Sequence, residues 1–551
     1  MKTQPMKRII AAMLLCMALT PFALIAQKAV APIQSGENIG VVATNSGKVR
    51  GYIRNNIYTY KGIPYAQAKR FQAPEKPKPW EGVRSSMTYG PVSPLMTATT
   101  SVSDEIEFVF HHDWGYANED CLRVNVWTPG VNDGKKRPVM FWIHGGGYTA
   151  GSSQELPSYD GEAIAKKGDV VLVSVNHRLN ILGFLDLSEF GPKYKGGANA
   201  SFLDLVMALQ WVRDNISNFG GDPNNITIFG QSGGGGKVST LMSSPMAKGL
   251  FHKGIVQSGI WANFQEQAVS KRIGSAVLTE LGLIPSTVDS IQKVPYEKLV
   301  TAGNKALAKV REQLQAEGTT FDAFGLRFGW TPTLDGSFLT HHMGDAEALA
   351  LSSNIPFMIG STKNEFMASL RTPTLRNADA TAVKEYLQKQ FGEKTEAYIA
   401  AVKKTYPNDT KPNDLADIDL FFRPGTVAQA NARASSATAP VYTYLFTWQS
   451  PAVGGVYKSL HCMEIPFAMN NIARCEEMTG GGKEAYALSE KMSQAWINFA
   501  RTGDPNHKGL PVWPKYTAQG GATMMFDNTP AIRNHPDKEI LEVTSSSSPR
   551  F

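Results

Sequence analysis

Two short stretches of the chain carry residue types and spacings suited to acyl-transfer chemistry. In Phe219-Gly220-Gly221-Asp222-Pro223-Asn224-Asn225-Ile226-Thr227-Ile228-Phe229-Gly230-Gln231-Ser232-Gly233-Gly234, a lone serine stands on a glycine-flanked corner. A serine hydroxyl attacks a carbonyl when a neighbouring base takes its proton, and glycines let the backbone turn sharply enough to expose it. The second stretch, Arg137-Pro138-Val139-Met140-Phe141-Trp142-Ile143 running into His144-Gly145-Gly146-Gly147-Tyr148, bares backbone N–H groups. Such donors stabilise the oxygen that turns negative in a tetrahedral intermediate, and losing one costs roughly a hundred- to a thousandfold in rate. Two nucleotide-binding alternatives for the same glycines fail. A P-loop counted back from Gly236-Lys237 would start on Gln231 and would put Val238 where a hydroxyl must hold Mg²⁺. A dinucleotide fingerprint, Gly145-x-Gly147-x-x-Ala150, lacks the acidic residue after the next strand, residues 170–175, which instead runs into Asn176-His177-Arg178-Leu179.

Each stretch needs a strand to aim it. Residues 226–229 form a short apolar, β-branched run with a helix-like stretch behind Ser232, and residues 137–143 are a second apolar run. A chain with 50 glycines produces a G-x-S-x-G string by chance, so its place between strand and helix is what gives it weight. In that setting the string is the nucleophile elbow of α/β-hydrolases, and the HGGG run is an oxyanion loop of lipases and esterases.

The chain resembles the type-B carboxylesterases, a family that includes carboxylesterases, cholinesterases and bacterial para-nitrobenzyl esterases. The serine stretch matches that family's signature, and Glu119-Asp120-Cys121-Leu122-Arg123-Val124-Asn125-Val126-Trp127-Thr128-Pro129 is similar to its second signature, with Arg123 a departure. Further similar stretches are Lys61-Gly62-Ile63-Pro64-Tyr65-Ala66, Trp211-Val212-Arg213-Asp214-Asn215-Ile216, Gln257-Ser258-Gly259, and Phe499-Ala500-Arg501-Thr502-Gly503-Asp504-Pro505 followed by Trp513-Pro514. The resemblance covers nearly all of the chain after its first residues. It implies an α/β-hydrolase fold: a central, mostly parallel twisted sheet flanked by helices, with a helical cap from insertions.

A serine nucleophile needs a base, and the base needs an acid to fix its tautomer, in the chain order serine, acid, histidine. His461 follows the apolar strand at residues 441–446, and Leu460-His461-Cys462-Met463-Glu464-Ile465-Pro466-Phe467 resembles the family's histidine motif. His111, His112, His252, His341, His342 and His507 have no such setting. The acid should close another strand. Residues 355–360 are that strand, and Glu365 in Gly360-Ser361-Thr362-Lys363-Asn364-Glu365 matches the family's acid position, with Asp335 the alternative. The expected catalytic set is therefore Ser232, Glu365 and His461, with the N–H groups of Gly146, Gly147 and Gly233 as oxyanion hole. The chemistry requires no metal or organic cofactor, and the cysteine and histidine spacings resemble no zinc site.

The 551 residues, 42% apolar and 10% aromatic, suffice for one large α/β unit with insertions. Helix-like apolar spacing over 269–314 and 381–404 marks the insertions, and alternation of strands with helices implies the parallel sheet. At the start, Lys2, Lys7 and Arg8 precede an apolar run at residues 9–25, the order of a signal peptide. Cleavage is expected after Ala26, or after Ala31, leaving residues 27–551 as the catalytic unit, exported to the periplasm or beyond the cell and not stably bound to membrane. Loss of residues 1–26 takes three positive charges, so the net +7 becomes +4, a mild excess that makes no case for nucleic acid.

Export leaves Cys121, Cys462 and Cys475. In the family the cysteine at the Cys121 position often pairs with one upstream, where Ser93 stands here, so Cys121 is expected as a buried free thiol. Cys462 and Cys475 are open between a disulfide and two thiols. Gln231 stands where cholinesterases usually have glutamate, which weakens the case for a cationic ester. Phe108, Phe110, Trp114 and Tyr116 either line a gorge or pack their own loop, and His177 and Asn199-Ala200-Ser201 are departures with no substrate meaning. The expected substrates are small to medium uncharged esters with alkyl, aryl or phenolic groups. The alternatives are a long-chain lipase and a non-catalytic binding or adhesion domain.

Overall fold

Apolar runs become adjacent strands of one eleven-stranded sheet, and the computed structural model of the protein describes residues 32–95, 103–259, 263–321 and 328–545. The expected signal peptide lies outside these. In chain order the sheet strands are β1 (Tyr52–Arg54), β2 (Ile57–Pro64), β3 (Arg123–Thr128), β4 (Arg137–Ile143), β5 (Val171–Val175), β6 (Gly221–Gln231), β7 (Lys253–Gln257), β8 (Phe357–Thr362), β9 (Val441–Phe446), β10 (Ala522–Phe526) and β11 (Ala531–Asn534). Their spatial order is β11-β10-β9-β8-β7-β6-β4-β5-β3-β2-β1.

From β10 to β5 every neighbouring pair is parallel, and both edges are antiparallel. Parallel strands are covered on both faces and so read as continuous apolar runs, which is why β5 and β8 are buried along their whole length. The architecture is the α/β-hydrolase sheet.

One face is covered by the helix Ala200–Asn215, the other by the helix Lys483–Thr502 with Trp496 and Phe499 in the core. The chain leaves β4 for β5 on one side and returns to place β6 on the other, so the sheet reverses direction of winding at β4. In open α/β sheets the crevice at the carboxyl ends of strands beside such a reversal is where ligands bind.

The insertions are helical as the spacing expects. Gln267–Glu280 packs with Tyr296–Ala316, and Ala380–Phe391 with Thr395–Thr405. The first pair joins the main core through Ile273, Val277 and Val310, whereas the second builds a small core of its own with Ile540. Flanking the second insertion, Phe366 and Phe422 approach His461.

Candidate active site

Ser232 caps the helix Gly233–Met242 directly after β6 and holds φ 58°, ψ −123°, a region that ordinary residues avoid. Such strain persists only where surrounding structure fixes it. Its N–H donates to the Gln257 carbonyl of β7 at 2.8 Å, and its carbonyl accepts from Gly236 at 3.0 Å. The corner is thus pinned at both ends, and the partly exposed side chain stands at the strand's carboxyl end.

The glycine run after β4 lies against this corner. Gly146 and Gly147 have φ 83° and 62°, and a Cβ added to Gly233 would sit 2.2 Å from the Gly147 carbonyl oxygen. Only bare backbones approach so closely. Among the described residues the N–H groups of Gly146, Gly147 and Gly233 donate to no partner, which leaves them free to serve a ligand oxygen.

On the far side, Glu365 follows β8 in a tight turn and is fully buried. Its carboxylate accepts from the Thr362 N–H at 2.7 Å, from Ser258 Oγ at 2.5 Å, and from His461 Nδ1 in a short contact. The backbone agrees, since the His461 N–H donates to the Glu365 carbonyl at 3.1 Å. With Nδ1 engaged, Nε2 is the nitrogen left to accept a proton. The imidazole lies beside Gln231 Nε2, at 3.3 Å from both ring nitrogens. Glu365 and His461 are thus joined beyond β8 and β9, and Gln231, next to Ser232 in the chain, lies against the His461 ring. Asp335 does not join them; it accepts from the turn N–H groups of Ser337, Phe338 and Leu339.

Several neighbours were not legible as site residues. Ser258 occurs in the Gln257-Ser258-Gly259 stretch, yet its bond to Glu365 spans 107 positions. Phe422 stacks on the His461 ring at 5.1 Å and 7°, and Phe366 tilts over it at 4.6 Å while remaining 41% exposed. Two further carboxyls feel Glu365: burial, then that charge, pushes Glu464 up to about 7 and Asp419 likewise to about 7. Asp419 also accepts from the N–H groups of Phe421, Phe422 and Arg423, and so holds the aromatic pair beside the histidine.

The three cysteines of the described residues are all free. Cys121 is buried, as expected, and burial pushes its thiol up to about 12; Ser93 Oγ accepts from the Leu179 N–H instead. Cys462 and Cys475 form no bridge: Cys462 Sγ donates to Gln231 Oε1 at 3.2 Å, and Cys475 is buried as a free thiol. The aromatic loop packs on itself, with His112 stacked between Phe110 at 5.5 Å and Trp114 at 4.5 Å, and with Phe108 and Tyr116 exposed. Among the described residues no group of three or more His, Cys, Asp or Glu could hold a metal ion, and no helix is long and apolar enough to cross a membrane.

The sequence model of the carboxylesterase family matches residues 39–544. The chain belongs to the carboxylesterase family. This carboxylesterase is 36% identical over 512 residues to the para-nitrobenzyl esterase of Bacillus subtilis (strain 168), covering 91% of this chain and 97% of that protein. It is 34% identical to the phenmedipham hydrolase of Pseudarthrobacter oxydans, with 88% and 94% covered. Among solved structures, an esterase from anaerobic Clostridium hathewayi described as hydrolysing aliphatic aromatic polyesters superposes with a TM-score of 0.80 at 38% identity, over 94% of this chain and 100% of that one. Family and relatives together make the protein a carboxylic ester hydrolase.

Proposed function

We propose that the protein is an exported serine esterase that works through an acyl-enzyme on small to medium uncharged esters. His461 takes the Ser232 proton as Oγ attacks the carbonyl carbon, and Glu365 fixes the imidazole tautomer and stabilises the imidazolium that forms. The N–H groups of Gly146, Gly147 and Gly233 receive the oxyanion. The C–O bond to the alcohol then breaks as His461 returns the proton to the leaving oxygen, and water activated by the same histidine releases the acid. The observation that carries this proposal is a strained, partly exposed Ser232 backed by three unengaged glycine N–H groups, with its neighbour Gln231 against a Glu365-bonded His461.

The alcohol side favours an aryl or phenolic group. Phe366 and Phe422 flank the proton donor, with Phe421 packed on both rings, aromatic pairs add about 0.5–1.5 kcal/mol beyond burial, and Gln231 brings no charge for a cationic group. The names of two relatives carry para-nitrobenzyl and aromatic esters, in line with such a cleft. The basic-then-apolar order of residues 1–26 supports export.

Hydrolysis of para-nitrophenyl acetate, butyrate and laurate, beside Ser232→Ala, tests this. Turnover of the short esters with loss in the variant is expected. A preference for laurate would instead favour a lipase, and inactivity of the folded protein a binding role.

A further inference from the structure

Lys237 is the residue whose P-loop meaning failed, and it is fully buried, five positions after Ser232 on the helix Gly233–Met242. Its ammonium donates one hydrogen bond, at 3.1 Å, to the carbonyl of His144, the residue that opens the glycine run. That carbonyl meets two residues of one helix face. A Cβ on Gly234 would lie 2.8 Å from it and 2.1 Å from the Ile143 carbonyl, so the helix backbone presses directly on the end of β4. Next along, Gly233 abuts Gly147. One face of the serine helix thus touches the oxyanion loop at Gly147, at His144 and again through Lys237.

The surroundings are specific to this charge. His144 and His177 stack at 4.9 Å and 19°, and burial, with Lys237 nearby, holds both imidazoles well below the usual range and so neutral. His177 Nδ1 lies 2.8 Å from Ser201 Oγ, so two of the departures noted in the sequence bond to each other. Nε2 of each histidine is buried without a partner. Among the described residues, Glu155, in the loop after the glycine run, is the carboxyl whose charge supports the ammonium. Tyr148 sits against Thr240 of the same helix, and Arg178 is occupied by Asp204. Burying a charge with one hydrogen bond is costly in desolvation, and a purely structural position is filled more stably by an apolar residue.

Resting on the serine-esterase function proposed above, we propose that Lys237 is a positioning residue, whose ammonium clamps the His144 carbonyl to the serine helix and so holds the Gly146 and Gly147 N–H groups on the oxyanion. Only the protonated amine carries three donors and a positive charge. Removing the proton slackens the clamp and withdraws a positive charge from behind the forming anion, whose stabilisation depends on fixed positive groups in a dry site. Burial brings the ammonium down to about 7, Glu155 opposing, so this loss falls within the working pH range.

The test is the pH profile of kcat for para-nitrophenyl butyrate with the wild-type protein, Lys237→Met and Lys237→Arg, with KM, thermal midpoint and fluorophosphonate labelling of each. The wild type is expected to lose kcat as pH rises through about 7 to 8. Lys237→Met should be folded, at least as thermostable below that pH, and about tenfold to a hundredfold lower in kcat with KM changed less than about threefold; this is less than removing an oxyanion donor outright. Its profile should lack the alkaline fall, and so should that of Lys237→Arg, which stays charged. A wild-type profile without an alkaline fall overturns the inference even if no variant folds, as does a Lys237→Met enzyme that keeps both kcat and the fall. A wild type that neither hydrolyses esters nor takes the label fails at the earlier step, the serine-esterase function itself.

Discussion

Around Ser232 the site is built from backbone, whereas around His461 it is built from side chains. The serine corner, the glycine run and the helix behind them touch through Gly233 and Gly234, where an added Cβ would lie 2.2 Å from the Gly147 oxygen and 2.1 Å from the Ile143 oxygen. The histidine is held by Glu365, flanked by Phe366 and Phe422, and bordered by Gln231 and Cys462. Backbone contacts tolerate no substitution, while side-chain contacts can be tuned one at a time. The serine side therefore suits a rigid anion site, and the histidine side suits a cleft whose substrate preference varies.

The largest expected effect comes from the Glu365–His461 bond that anchors the side-chain half. Glu365→Gln keeps the shape but removes the charge that fixes the imidazole tautomer, and kcat should fall by about four orders of magnitude with KM little changed; steady-state kinetics check this. Next, Gly146→Ala puts a Cβ 2.4 Å from the Ala150 carbonyl at a φ of 83° and should cost roughly a hundred- to a thousandfold in kcat. A tolerated alanine would show that the serine side is not backbone-limited. On the side-chain half, Phe366→Ala should lower kcat/KM for aryl esters about tenfold relative to alkyl esters, the worth of one aromatic contact. An unchanged aryl-to-alkyl ratio would remove that ring from the substrate's path.

The smallest effect is on stability. Glu464, fully buried with Oε2 unpartnered, rises from 4.5 to about 7. Between those values the native state holds a proton that the unfolded chain has released, so stability is greatest below about 4.5 and declines as pH rises to about 7. Glu464→Gln should therefore raise the thermal midpoint more at about pH 8 than at about pH 4.5, as scanning calorimetry would show.

The same contrast explains what the sequence disclosed. Residues 137–143 and 441–446 match β4 and β9, and the G-x-S-x-G and HGGG strings are local arrangements whose geometry follows from contiguous glycines. Family resemblance, more than their own surroundings, points to Glu365 and His461, since 96 positions separate them. Ser258, Phe366 and Phe422 meet Glu365 and His461 only through tertiary packing, and no periodicity announces that. The same limit applies to Cys462, which turns to Gln231 and not to Cys475, and to Lys237, which has no motif yet lies under the oxyanion loop.

The most direct measurement is labelling of the wild-type protein with a fluorophosphonate, followed by peptide mass mapping, beside His461→Ala. One adduct per chain on Ser232, with labelling at least about a thousandfold slower in the variant, is the predicted result. Rapid ester hydrolysis with the adduct on another residue, or with none, would contradict the assignment of Ser232 as the nucleophile.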